Sequence, residues 1–142
     1  MLQLPAYVGI ILKKDDQVLL IKRKNTDWGQ GQWNFPGGLL EEGETLIQAA
    51  AREAREEVDV NINPEDLRLM HVLQVRKSAT NTKDIFGFYF VATIWQETPV
   101  NNEPERHSEI GWFSINELPE QSTQHAQQAI AGLKSGTIYS IN

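Results

Sequence analysis

The sequence predicts an α/β layered domain, and three observations carry that prediction. Short runs of β-branched and aliphatic residues at 7–13, 17–22, 67–76 and 85–95 read as strands. Two segments, 45–58 and 124–133, place apolar residues at helical spacing. The two kinds of segment alternate along the chain, the order expected of helices layered on a sheet. With 142 residues, positions 1–142 suit one domain with a core of its own.

Taken in order, the first two runs are separated by Lys14, Asp15 and Asp16 and form a hairpin. Within the second, Val18, Leu19, Leu20 and Ile21 are continuously apolar, as in a strand covered on both faces. Residues 25–38 hold Gly29, Gly31, Pro36, Gly37 and Gly38 among Trp28, Trp33 and Phe35, which makes them a loop pinned by aromatics. Thr45 followed by Gln48 fits a capping box, so the first helix starts there. Ile47, Ala51, Ala54 and Val58 then recur at steps of four, three and four and define its apolar stripe. Strands at 67–76 and 85–95 flank a polar turn at 78–84, and 110–113 is a shorter strand. The second helix turns Ala126, Ala129, Ile130 and Leu133 inward.

Composition narrows the function. Nineteen acidic residues against thirteen basic ones give a net charge of −6, which argues against a nucleic-acid polymer as partner but not against a small phosphorylated ligand. The absence of cysteine excludes disulfides, thiolate ligands and cysteine nucleophiles. No apolar run reaches membrane-spanning length and the start lacks a signal-peptide pattern, so a cytoplasmic location is expected. His71, His107 and His125 are too scattered to argue for a zinc cluster; His107 is poorly supported as a catalyst and His125 reads as surface or packing polarity.

The first helix carries an electrostatic anomaly. With Glu53 as origin, Glu57 lies about 40° round the helix and Glu56 about 60° the other way. Three carboxylates thus share one shoulder beside the apolar stripe. Like charges at i,i+4 repel, and acids late in a helix oppose its dipole. A cation reverses that cost, and hard oxygen ligands select Mg2+ or Mn2+. Arg52 and Arg55 offer the alternative of simple screening on a wet surface. That alternative leaves unexplained why Gly37 and Gly38, residues that let main chain approach a ligand closely, stand just before the helix.

Gly38, five residues, Glu44, seven residues, then Arg52-Glu53-Ala54-x-Glu56-Glu57-x-Asp59-Val60 resembles the box of the Nudix hydrolases. The box covers about a sixth of the chain. It departs from the family pattern at Asp59, where glycine is usual; aspartate tolerates the positive φ that ends a helix, so a small stability penalty and intact chemistry are expected.

The resemblance implies an α/β/α sandwich with a mixed sheet and hydrolysis of a nucleoside diphosphate linked to another group. It implies Glu56 and Glu57 as principal ligands of Mg2+, or of Mn2+, with the main-chain carbonyl near Gly38 as an addition. Glu53 is then either a further ligand or the base that activates water. Arg52 pairs with a box carboxylate, and Glu44 either accepts Arg52 or binds the metal through water. Related hydrolases often bring a distant loop acid to the metal, a task that Glu103 or Glu105 would suit; a solvated acidic loop is the alternative. Arg23 resembles a family position that can contact substrate phosphate, with a strand-end surface charge as the alternative. Of the other candidates, Trp28 is the more exposed aromatic and a candidate to stack on a base, Asn34 is a polar reader or a turn residue, and Glu109, just before the strand at 110–113, is a candidate to meet base edges.

The implied substrate is a canonical or oxidised nucleoside triphosphate, split to monophosphate and pyrophosphate, by a monomer or homodimer. ADP-ribose, nucleotide sugars and dinucleoside polyphosphates are the alternative substrates, and a non-catalytic nucleotide sensor is the alternative to an enzyme.

Overall fold

The computed structural model describes residues 1–142. Strands β1 (Ala6–Lys14) and β2 (Gln17–Arg23) form the expected hairpin, with Asp15 in the left-handed conformation at the turn. They pair only at Lys13–Val18 and Lys14–Gln17. Further back, the short strand β4 (Gly37–Leu39) takes the β1 edge at Tyr7, Val8 and Gly9. β2 instead receives β3 (Trp33–Asn34) and β7 (His107–Ser114), so the hairpin strands exchange partners along their length.

On its other edge β1 runs parallel to β6 (Ile85–Ala92), which pairs antiparallel with β5 (Arg68–Val75). A terminal strand, β8 (Tyr139–Ile141), joins β5 in parallel. The sheet is therefore mixed, as expected. β3, β4 and β8 are two or three residues long and carry no alternation that marks them as strands. β7 begins at His107, three residues before the predicted start, because its hydrogen bonds to β2 extend through polar residues.

Helices α1 (Leu46–Val58) and α2 (Gln124–Ser135) cover opposite faces. Alternation along the central strands divides the core between them. Val8, Ile10, Leu12, Leu19 and Ile21 join Ala49, Ala50, Ala54 and Val58 under α1. Ile11, Val18, Leu20, Leu73 and Tyr89 join Ala126, Ala129 and Ile130 under α2. Val18, Leu19, Leu20 and Ile21 are at most 2% exposed, the fate expected of a continuously apolar strand. Each such side chain contributes about 1.5–3 kcal/mol by leaving water.

The capping box is present: Thr45 Oγ1 accepts from the Gln48 amide, and the Gln48 side chain accepts from the Thr45 amide. The predicted apolar stripe needs correction. Ala54 and Val58 are buried, but Ala51 is only half-buried and Ile47 is exposed. Burial runs instead through Ala49, Ala50, Glu53, Ala54, Glu57 and Val58. The cause lies beneath the helix. β4 presents Gly37 and Gly38, with no side chains to hold α1 away, so the helix rests its Glu53–Glu57 side there.

Asp59 ends α1 at φ 56°, and its amide is bonded back to Ala54 and Arg55 carbonyls. Asp59→Gly is therefore expected to stabilise the protein by about 0.5–1 kcal/mol, by relief of left-handed strain. Thermal unfolding checks the gain. An unchanged or lowered midpoint contradicts it.

Candidate active site

The capped start of α1 fixes the helix, and its alanine face brings it close to the sheet. In consequence Glu53 and Glu57 are only 8% and 4% exposed, an unusual environment for carboxylates. Glu56, on the outer shoulder, keeps half of its side chain in solvent.

Arg52 ties the outer acids together. Its Nε and Nη2 donate to the two Glu44 oxygens at 2.6 and 3.0 Å, a forked contact that lysine cannot copy. Nη1 donates to Glu53 at 2.8 Å and Glu56 at 3.2 Å, while Nη2 also reaches the Leu39 carbonyl at 3.1 Å. The hydrogen bond from Arg52, helped by the Glu41 amide, holds the Glu44 carboxyl below its ordinary range.

Glu57 faces inward. Its Oε2 accepts the Gly37 amide at 2.6 Å, tying α1 to β4, and its Oε1 lies 3.7 Å from His107 Nε2. Glu103 comes in from the loop before β7, and one ligand atom each from Glu57, Glu103 and His107 fall within 4.8 Å of one another. Burial pushes the Glu57 carboxyl up to about 8, with Glu53 and Glu103 adding repulsion. Glu53 and Glu103 are also raised, each chiefly by desolvation. Burial, then repulsion from Arg106 and Arg23, lowers His107 to about 4. Burial thus disfavours the charged form of both Glu57 and His107. Clustered carboxylates held against desolvation and mutual repulsion are what a divalent cation relieves.

The two glycines are required for space, not for unusual φ: neither has a positive φ. A Cβ at Gly38 runs into the Glu53 carboxylate, and one at Gly37 runs into the Val8 carbonyl. The expected outcomes differ accordingly. Gly38→Ala displaces a movable side chain, so it stays folded and loses about tenfold to a hundredfold in turnover. Gly37→Ala strains the β1–β4 ladder and lowers the unfolding midpoint. Parallel kinetics and melts on both variants check the distinction.

Gly37 and Gly38 also form part of the wall of a cavity of about 360 Å³. Arg23, Trp28, Asn34, Tyr7, Tyr89 and His125 contribute to its lining. Arg23 donates from Nε to the Trp28 carbonyl at 2.8 Å and its guanidinium lies 4.8 Å from the Trp28 ring centroid. No protein acceptor takes its two terminal nitrogens. Asn34 accepts from the Thr123 hydroxyl at 3.0 Å.

Not every predicted position gathers here. Glu109 is exposed on β7 opposite Lys22 and does not line the cavity, because the strand pairing turns it to solvent. Of the two loop acids, Glu103 reaches the box; Glu105 is exposed, and only its carbonyl is engaged, by Asn25. Two histidines also lie beside the site. His107 is buried beside Glu57, and His125 stacks on Trp28 with ring centroids 4.9 Å apart. His107 had one usable signal, its place directly after an acidic loop; the position of His125 on α2 had none.

The profile of the NUDIX domain matches residues 3–133. The chain belongs to the Nudix family. An uncharacterized Nudix hydrolase, YvcI of Bacillus subtilis, is 26% identical over 118 residues, or 83% of this chain and 71% of that protein. An ADP-ribose pyrophosphatase of Methanocaldococcus jannaschii is 30% identical over 81% of this chain and 64% of its own length. The crystal structure of a MutT Nudix hydrolase from Burkholderia pseudomallei superposes with a TM-score of 0.84 at 28% identity, covering 93% of this chain and 99% of that one.

This Nudix protein is accordingly an enzyme acting on pyrophosphate bonds. Nudix hydrolases generally use divalent metals and small nucleotide substrates, and the acidic group around Glu57 suits such an ion. No helix is long and apolar enough to cross a membrane.

Proposed function

We propose that the protein hydrolyses a nucleoside triphosphate, canonical or oxidised, to the monophosphate and pyrophosphate in a reaction dependent on Mg2+ or Mn2+. One observation carries this reading: the buried carboxylates and the cavity share a wall, with Glu53 against Gly38 and Glu57 bonded to Gly37. A diphosphate lying along the two glycines meets the acids while its nucleoside enters the cavity. At about 360 Å³ the cavity is near the small end of ligand sites, which favours one nucleoside over two.

A divalent cation held by the box supplies charge neutralisation of phosphate oxygens and polarisation of water. Glu57 and Glu103 would be its principal ligands, with Glu56 and the Gly38 carbonyl as further oxygen donors. Glu53, oriented by Arg52, takes the proton from the attacking water. Glu44 acts through Arg52 rather than on substrate. Arg23 offers its two terminal nitrogens to phosphate, Asn34 reads a base edge, and Trp28 closes the cavity beside His125.

A second reading, ADP-ribose hydrolysis, is favoured by the 30% identity to the Methanocaldococcus enzyme. Product analysis with Mg2+ across nucleoside triphosphates, ADP-ribose, nucleotide sugars and diadenosine polyphosphates separates them. Monophosphate plus pyrophosphate supports the proposal. AMP and ribose phosphate from ADP-ribose, as the fastest reaction, moves the assignment to the second reading. Tight nucleotide binding without turnover across metals and pH removes both and leaves a sensor.

A further inference from the structure

His107 occupies an unexplained position. Its side chain is on the buried residue of β7 nearest the box, 3% exposed, yet Nδ1 has no hydrogen-bond partner. Nε2 stops 3.7 Å from Glu57 Oε1, beyond hydrogen-bond reach. The backbone around it is fixed with care. The His107 amide donates to the Glu103 carbonyl at 3.0 Å, and its carbonyl accepts from Asn101 Nδ2 at 2.7 Å. The β2–β7 register shifts between Lys22 and Arg23, which sets His107 opposite Arg23. Such irregularities re-aim side chains near functional sites.

The acids around it divide into two groups. Arg52 already binds Glu44, Glu53 and Glu56. Glu57 Oε1 is turned the other way, toward His107 and Glu103. Two atoms bound to one small cation at about 2.1 Å lie no more than about 4.2 Å apart. The 3.7 Å separation of Nε2 and Oε1 satisfies that limit. The bound of 4.8 Å on the whole group asks for no more than a small side-chain rotation.

We propose that His107 supplies a nitrogen ligand to the divalent cation of this site and makes the site select Mn2+ over Mg2+. The inference rests on the metal-dependent reading above and adds a ligand that the box motif does not contain. Its chemical basis is hardness. Mg2+ keeps to oxygen and water, whereas Mn2+ accepts imidazole beside carboxylate.

Electron spin-echo spectroscopy of the protein loaded with Mn2+ alone tests this without turnover. The expected result is nitrogen modulation from a coordinated imidazole in the natural protein and its loss in His107→Asn. Calorimetric titration should show the Mn2+ affinity of the variant falling by about tenfold or more, with Mg2+ affinity changed by less than about threefold. Bound Mn2+ without imidazole modulation in the natural protein overturns the proposal and leaves the hydrolase reading intact. So does modulation that persists in a folded His107→Asn. If that variant does not fold, the spectrum of the natural protein with selectively nitrogen-labelled histidine decides the question. Failure of either ion to bind, with or without nucleotide, overturns both the ligand and the metal-dependent reading.

Discussion

Glu57→Gln is expected to lower turnover by about a thousandfold while leaving the fold intact. The amide is nearly isosteric, and its oxygen can still accept the Gly37 amide that Glu57 Oε2 now takes. What disappears is the negative charge at Oε1, the atom turned toward Glu103 and His107. Burial disfavours the charged form of Glu57, and glutamine cannot ionise, so the metal-free variant should melt no earlier than the natural protein.

The comparison carries a pH signature. Burial raises the folded-state carboxyl to about 8, from an ordinary value of 4.5. The stability associated with its proton is fully present below 4.5 and is lost as pH rises through 8. In a chelator, the advantage of the glutamine variant should therefore widen between those limits, by at most about 1.4 kcal/mol per pH unit. Steady-state kinetics with saturating Mg2+, and melts across that range, read both effects. Undiminished turnover removes Glu57 from the metal site, and a pH-independent difference in stability removes the buried-carboxyl argument.

Arg52→Ala is expected to combine a fall of about a hundredfold in turnover with a loss of about 1–3 kcal/mol in stability. Three carboxylates, Glu44, Glu53 and Glu56, lose a donor at once, and the Leu39 carbonyl loses another. Arg52→Lys keeps the charge without the fork on Glu44, so it should recover much of the stability but little of the rate. That split is the useful readout. If lysine restores turnover fully, the orientation of Glu53 is not what Arg52 provides.

How far these features were legible in the sequence depended on their range. The capping box, the left-handed Asp59 and the continuously apolar β2 are local or periodic, and the chain spells them out. The box motif pointed Arg52 at a carboxylate and left Glu44 between accepting Arg52 and binding metal through water; the forked contact shows that Glu44 accepts Arg52. The tilt of α1 was not, because it depends on what β4 lacks; helical spacing alone pointed to Ile47 and Ala51 in place of Glu53 and Glu57. The choice of Glu103 over Glu105 rests on a loop closed by its own backbone bonds to Arg106 and His107. His107 and His125 acquire their places only through β7 pairing and α2 packing, contacts between distant parts of the chain. Glu109 shows the converse: adjacency to a useful strand did not decide which way the residue faced.

Ala49, Ala50 and Ala54, each with no exposed surface, act as the spacers on which α1 stands above the sheet. Their thinness sets how deep the acids sit, although none of the three touches a substrate or an ion. A lineage under pressure for catalysis would therefore reject a bulkier residue there well before the protein became too unstable to persist, and mutational tolerance at these silent positions would gauge the height of the helix.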